Sequence, residues 1–197
     1  ALFAEEASLL LRRAAILQNE TLEGNGGGIF FSATGGVTPV LGTESTQLAL
    51  GNVEFTGNQA AGAGADGGGL YVADGSAGLT NVVFNGNVAA GVGGGFASRS
   101  GTADVLSHVT FTANRADGAD GGGGLFREVA APGGTLTNGI VWGNAAPNGP
   151  GAQITSTESA LLVDHTLTDG GTAAPRVGGA SPIQDAANNL QGDPAFF

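Results

Sequence analysis

The chain has 197 residues, 38 of them glycine, with 17 acidic side chains against six basic ones, a formal net charge of −11, and no cysteine or methionine. Its length suffices for one domain with a real core, and hydrophobic residues at 41% argue against disorder although glycine far exceeds the usual ~7%. The acidic balance excludes nucleic acid and anionic membranes as partners, the missing cysteine excludes disulfides and thiolate metal sites, and no run approaches the ~18 apolar residues of a membrane span.

Taken in chain order, the elements are copies of one pattern. An apolar run closes on "ILQN" at Asn19, "FTGN" at Asn58, "FNGN" at Asn87, "FTAN" at Asn114 and "VWGN" at Asn144, with a degenerate copy, "LTDG", ending at Gly170. Eight residues before these positions stand Leu11, Leu50, Leu79, Leu106, Leu136 and Leu162, and two residues after each Leu a polar residue, Arg13, Asn52, Asn81, His108, Asn138 or Asp164. A glycine block follows each Asn and closes on Ile29, Leu70, Phe96 and Leu125, with a weak copy at Ile154. The first residues keep the same offset, since Leu2 precedes Leu11 by nine as Leu70 precedes Leu79. This register predicts a strand at Leu2, although the helix formers of "ALFAEEASLLLRRAA" taken alone allow a helix. A start in mid-repeat and the missing Met read as a mature form or a segment of a longer array. Residues 33–45 interrupt the spacing and read as an inserted loop, and residues 171–197 as an irregular last coil or end cap of the single domain 1–197.

A period near 27 residues, with short β-prone runs such as "VEF", "VVF" and "LYV" between turn residues, predicts an all-β, single-stranded parallel β-helix of six or seven coils. One coil cannot bury its own inward side chains, so equivalent residues must stack in columns. Leu50, Leu79, Leu106 and Leu136 are expected in one interior column, with Phe55, Phe84 and Phe111 in another. Asn19, Asn58, Asn87, Asn114 and Asn144 are expected to form a structural ladder, because stacked amides bond each other.

The repeated "GGG[ILF]" and "FxxN" tetrapeptides resemble the GGA-[ILV] and FxxN repeats of chlamydial polymorphic membrane proteins and their bacterial relatives, and "NGIVWGN" with "NNLQGDPAFF" resembles the final coils of secreted β-helix proteins. The likeness covers nearly the whole chain. It implies a right-handed parallel β-helix in an exported protein on the outer cell surface or outside the cell, structural or adhesive and not catalytic. Its partners would be other copies of itself, the rest of a parent protein, or a surface glycan. Two alternatives are a filament subunit stacking through open coil ends, and a carbohydrate-binding or pectate-lyase-like protein.

Few residues suggest chemistry. Arg99 and Arg127 follow glycine blocks on adjacent coils, with Glu128 beside Arg127, but the several acids that a pectate-lyase-like base needs are not gathered with them. Asp66 and Asp120 stand before glycine blocks and are weak candidates for a structural Ca²⁺, against the commoner Asx turn; no other cofactor is indicated. His108 reads as a turn substitute, and the adjacency of Asp164 and His165 does not by itself aim a carboxylate at the ring. One position past each glycine block lies an aromatic column through Phe3, Phe30, Tyr71 and Phe126. Strand parity leaves open whether it points inward or outward; outward, Phe30, Tyr71 and Phe126 are candidates for contact with a partner.

Overall fold

The computed structural model describes residues 1–6, 8–33, 48–99, 104–128 and 133–169, and in the last part of the chain 177–178, 183–185 and 188–191. The described residues form an all-β parallel solenoid with no helix, so none is long and apolar enough to cross a membrane. The first side stacks Leu2–Glu5, Ile29–Ser32, Leu70–Asp74, Phe96–Ser98, Leu125–Arg127, Ile154–Ser156 and Val177–Gly178. The second side stacks Leu9–Leu17, Leu48–Thr56, Ala77–Asn85 and Val105–Thr112, then continues through Gly134–Thr137, Leu161–Asp164 and Ile183–Asp185. The third side holds Glu20–Thr21, Gln59–Ala60, Val88–Ala89 and Arg115–Ala116, extended by a bridge from Arg115 to Ala145. About five turns are therefore closed on three sides, close to the six or seven coils expected. The opening residues are strands, as the register required. The insertion expected at 33–45 lies outside the described residues except for Ala33, and the last coil is described only as three short parallel strands.

The columns follow the pairing register. Leu11, Leu50, Leu79, Leu106 and Leu136 are successive partners, and the four from Leu50 onward are buried. The sixth member is Val163 and not Leu162, which is 36% exposed. The bend in the second side is correspondingly made by His165 and not Asp164. It belongs to a column of left-handed corners at Arg13, Asn52, Asn81, His108, Asn138 and His165, with φ between 47° and 55°. A slip of one residue turns a whole strand over, so the apolar inward face decides the register.

Phe55, Phe84 and Phe111 stack with centroids 4.7 and 4.8 Å apart, the spacing of the strands that carry them. The residue before each ladder Asn is also left-handed, which glycine adopts readily at Gly57, Gly86 and Gly143. The glycine blocks meet two further demands, seen at Gly67–Gly69. Gly67 has φ of 67°; a Cβ on Gly68 would collide with the carbonyls of Gly94 and Val88; and a Cβ on Gly69 would stand 2.6 Å from the Gly95 carbonyl. The chain turns there against the next coil with no room for a side chain.

The Asn ladder is continuous. The Nδ2 of Asn19, Asn58, Asn87 and Asn114 donates to the Oδ1 of the next Asn, each at 2.9 Å, and that same Oδ1 accepts the backbone N–H of the donor residue. Nδ2 of Asn58, Asn87, Asn114 and Asn144 also donates to the backbone carbonyls of Ile16, Phe55, Phe84 and Phe111. Gln153 ends the row by accepting from Asn144 Nδ2 at 2.7 Å. Replacing Asn87 by Ala would strand the N–H and amide of Asn58 and the Phe55 carbonyl in the interior. Urea denaturation should show a loss of at least about 3 kcal/mol; a loss below about 1 kcal/mol would mean that the ladder is incidental to stability.

Candidate functional site

Strand alternation sends Leu2, Ile29, Leu70, Phe96, Leu125 and Ile154 into the lumen, so their neighbours Phe3, Phe30, Tyr71, Ala97, Phe126 and Thr155 form the outer column of the first side. Phe3 and Phe30 stack at 4.6 Å, and Phe30 and Tyr71 lie tilted at 5.5 Å. The column is outside the lumen but is not a free stripe. Val92, in the turn before the Phe96 strand, packs with Tyr71, Ala97 and Phe126 in a second apolar cluster, which leaves Tyr71 7% and Phe126 2% exposed. Phe30 is half-buried and Phe3 is 67% exposed. Of the three aromatic rings proposed for partner contact, Tyr71 and Phe126 are thus sheltered by the chain itself, and Phe30 alone keeps accessible surface.

Arg99 closes this cluster. Its guanidinium lies 5.2 Å from the Phe126 ring centroid, its Nε donates to Asp66 Oδ2 at 2.8 Å, and it also pairs with Glu128. Asp66 is 5% exposed; its Oδ1 accepts the Val92 N–H at 2.9 Å, and its own N–H donates to Asn25 Oδ1. Burial, reinforced by the Asp66 charge, pushes the Tyr71 hydroxyl above its usual pKa. Asp66 is therefore spent on holding its loop. Asp120 does not repeat it: counted back from Leu125, the equivalent of Asp66 is Gly121, and Asp120 falls one residue earlier on the exposed surface. Among the described residues no group of three His, Asp or Glu side chains converges as a metal site would require.

Arg127 lies inside the lumen with no exposed side-chain surface, its Nε 3.4 Å from Asp104 Oδ2. Its Nη1 donates to Ser159 Oγ at 2.7 Å, and Asp104 Oδ1 accepts the Ala77 N–H at 3.0 Å. Burial raises the pKa of Asp104 and lowers that of Arg127, and their mutual attraction opposes both shifts. The two arginines noted as lyase candidates thus lie on opposite faces of one sheet, and Arg127 is closed off from any external substrate. The histidines are exposed on the corner column. His108 Nδ1 meets Ser107 Oγ at 2.9 Å. His165 Nδ1 lies 2.9 Å from Asp164 Oδ1, so here the left-handed corner does bring carboxylate and ring together, beyond what adjacency alone implied.

The second side carries an open groove of about 590 Å³ lined by Arg12, Arg13, Gly51, Asn52 and Thr80. Nothing in the motif pattern marked it; the adjacent pair Arg12–Arg13 was its one visible signal. No family model, curated protein or solved structure matches the chain.

Replacing Phe126 by Ser should lower stability by about 3 kcal/mol, whereas Phe30→Ser should cost less than half as much; thermal melts check the order. For the interior pair, Arg127→Met alone should cost about 3–5 kcal/mol by leaving Asp104 buried without its partner. Adding Asp104→Asn, which removes the charge and keeps an acceptor for the Ala77 N–H, should recover part of that loss, and a denaturation double-mutant cycle measures the recovery.

Proposed function

We propose that the chain is a stiff, non-catalytic β-solenoid segment of an extracellular or cell-surface protein, with a structural or adhesive role of the kind the chlamydial-type repeats imply. The observation that carries this reading is the continuous amide ladder through Asn19, Asn58, Asn87, Asn114 and Asn144, buried from Asn58 onward. It holds successive coils at one spacing and leaves the outward columns as fixed rows of side chains, which suits a surface that must present contacts without deforming. The exposed face of such a body is where a glycan, another copy or the remainder of a parent protein would bind. The chain, immobilised and challenged with a glycan array and with itself in solution, should retain at least one of them while generating no unsaturated uronate from polygalacturonate. Turnover of that polymer would sink the non-catalytic reading, and retention of neither would sink the adhesive one.

A second reading has its own support. In the first coil the inward residues Leu9, Leu11, Ala14 and Ile16 are only partly buried and Leu2 is 40% exposed, while their partners Leu48, Leu50, Val53, Phe55 and Ile29 are buried. Another coil stacked there, whether a preceding stretch of a parent chain or a second copy, would cover them, and the filament reading takes it to be a second copy. Sedimentation across a concentration series should then reveal growing species, with fibres visible by electron microscopy.

A further inference from the structure

We infer that the corner groove at Arg12 and Arg13 binds the anionic group of an acidic saccharide. The argument starts from charge pairing. In a chain with 17 acidic residues, Arg99, Arg115 and Arg127 each meet a carboxylate: Asp66 and Glu128, Asp117, and Asp104. Arg12 and Arg13 have no ion-pair partner among the described residues, although they are neighbours and repel each other. The carboxylate of Glu54, past the bend on the next coil, already accepts from Thr56 Oγ1 at 2.7 Å.

The groove exists because of one missing side chain. Arg12, Gly51 and Thr80 are successive partners in an outward column. At Gly51 the Arg12 stem passes 3.8 Å from where a Cβ would stand, and the space between Arg12 and Thr80 stays open. Two strand spacings of ~4.8 Å separate those two residues. The volume of about 590 Å³ falls in the range of small-ligand sites, ~300–1,000 Å³.

The lining is a set of donors. Both guanidinium groups donate only. Asn52 Oδ1 is already occupied by Asn81 Nδ2 at 2.7 Å, so the amide offers its N–H groups to the groove, beside the Thr80 hydroxyl. A lining dominated by donors, with the Thr80 hydroxyl able to donate as well as accept, selects a carboxylate or a sulfate ester, and two adjacent guanidiniums suit bidentate binding. A long polyanion is disfavoured by the net charge of −11. An acidic peptide finds few of the usual aids here, since no aliphatic or aromatic side chain lines the groove and the strands are already paired on both sides at Gly51. A saccharide that carries one acid among hydroxyl groups matches the remaining amide and hydroxyl. The inference deepens the adhesive reading by naming a ligand class, and rests on it only for where such a saccharide would be met.

Calorimetric titration with trigalacturonate, a heparin-derived tetrasaccharide, galactotriose and tetraglutamate separates the possibilities. The native chain should bind trigalacturonate or the heparin fragment at least about ten-fold more tightly than galactotriose, the first identifying a carboxylate and the second a sulfate as the anchor. Affinity should fall with added salt. The double variant Arg12→Gln/Arg13→Gln should weaken binding by about ten-fold or more. Gly51→Val should weaken it comparably by filling the groove, and both variants should keep the native melting temperature, because these positions face outward. Undiminished binding by the double variant would overturn the site while leaving an adhesive role elsewhere on the surface. Failure of the native chain to bind either acidic saccharide, or tighter binding of tetraglutamate, would overturn the ligand class.

Discussion

The structure depends on satisfying a row of side-chain amides inside a lumen whose main columns are leucine, valine and phenylalanine. Each Asn of the ladder is both donor and acceptor, so a row of identical residues can pair completely with itself, coil to coil. An Asp or a Ser in that row would leave either donors or acceptors unmatched at every step. The backbone N–H of each ladder residue is captured by the same oxygen that receives its amide, which fixes the turn as well as the side chain. The phenylalanine stack, the leucine column and the close glycine contacts all require coils in strict register, and the amides enforce it at a corner between the second and third sides.

That requirement explains why glycine is so abundant in an ordered body. Where two coils pass backbone to backbone, a methyl group at Gly68, Gly94 or Gly123 would strike a carbonyl of the neighbouring coil. The turn over the outer aromatic column can come close enough for Val92 to cover Tyr71 and Phe126 only because the blocks that follow it are bare. Burial of the aromatic column and the richness in glycine are two aspects of one close approach.

The architecture was legible because it is written many times. Five leucines and five asparagines at constant offsets define columns whatever the local propensities say, and the helix-forming opening yielded to that register. Errors fell where the copies degenerate. The closing "LTDG" puts Leu162 in the column, but the spacing of nine from Ile154 points to Val163, as the same spacing points to Leu11 from Leu2 and to Leu79 from Leu70. Asp120 stands before its glycines as Asp66 does, but four glycines precede Leu125 where three precede Leu70, which shifts it out of the Asp66 position. The fate of Tyr71 and Phe126 was not legible, because parity separates lumen from exterior and carries no information on a turn folding back outside. The groove at Arg12 was equally silent, since its shape comes from the absence of a side chain on the coil after it.

The buried pair of Arg127 and Asp104 has a consequence for assembly. A stack of near-identical coils is almost degenerate under a shift by one whole repeat, because leucine would still meet leucine and amide still meet amide. Such mispaired states compete during folding. Arg127 already lies against Gly134, and in a register displaced by one coil it would meet Ala77 in place of Asp104 and be buried without a counter-charge at a cost of about 3–5 kcal/mol. The pair occurs at one level of the described stack, so it acts as an address that tells one coil from the next in a chain whose other interior columns barely distinguish them.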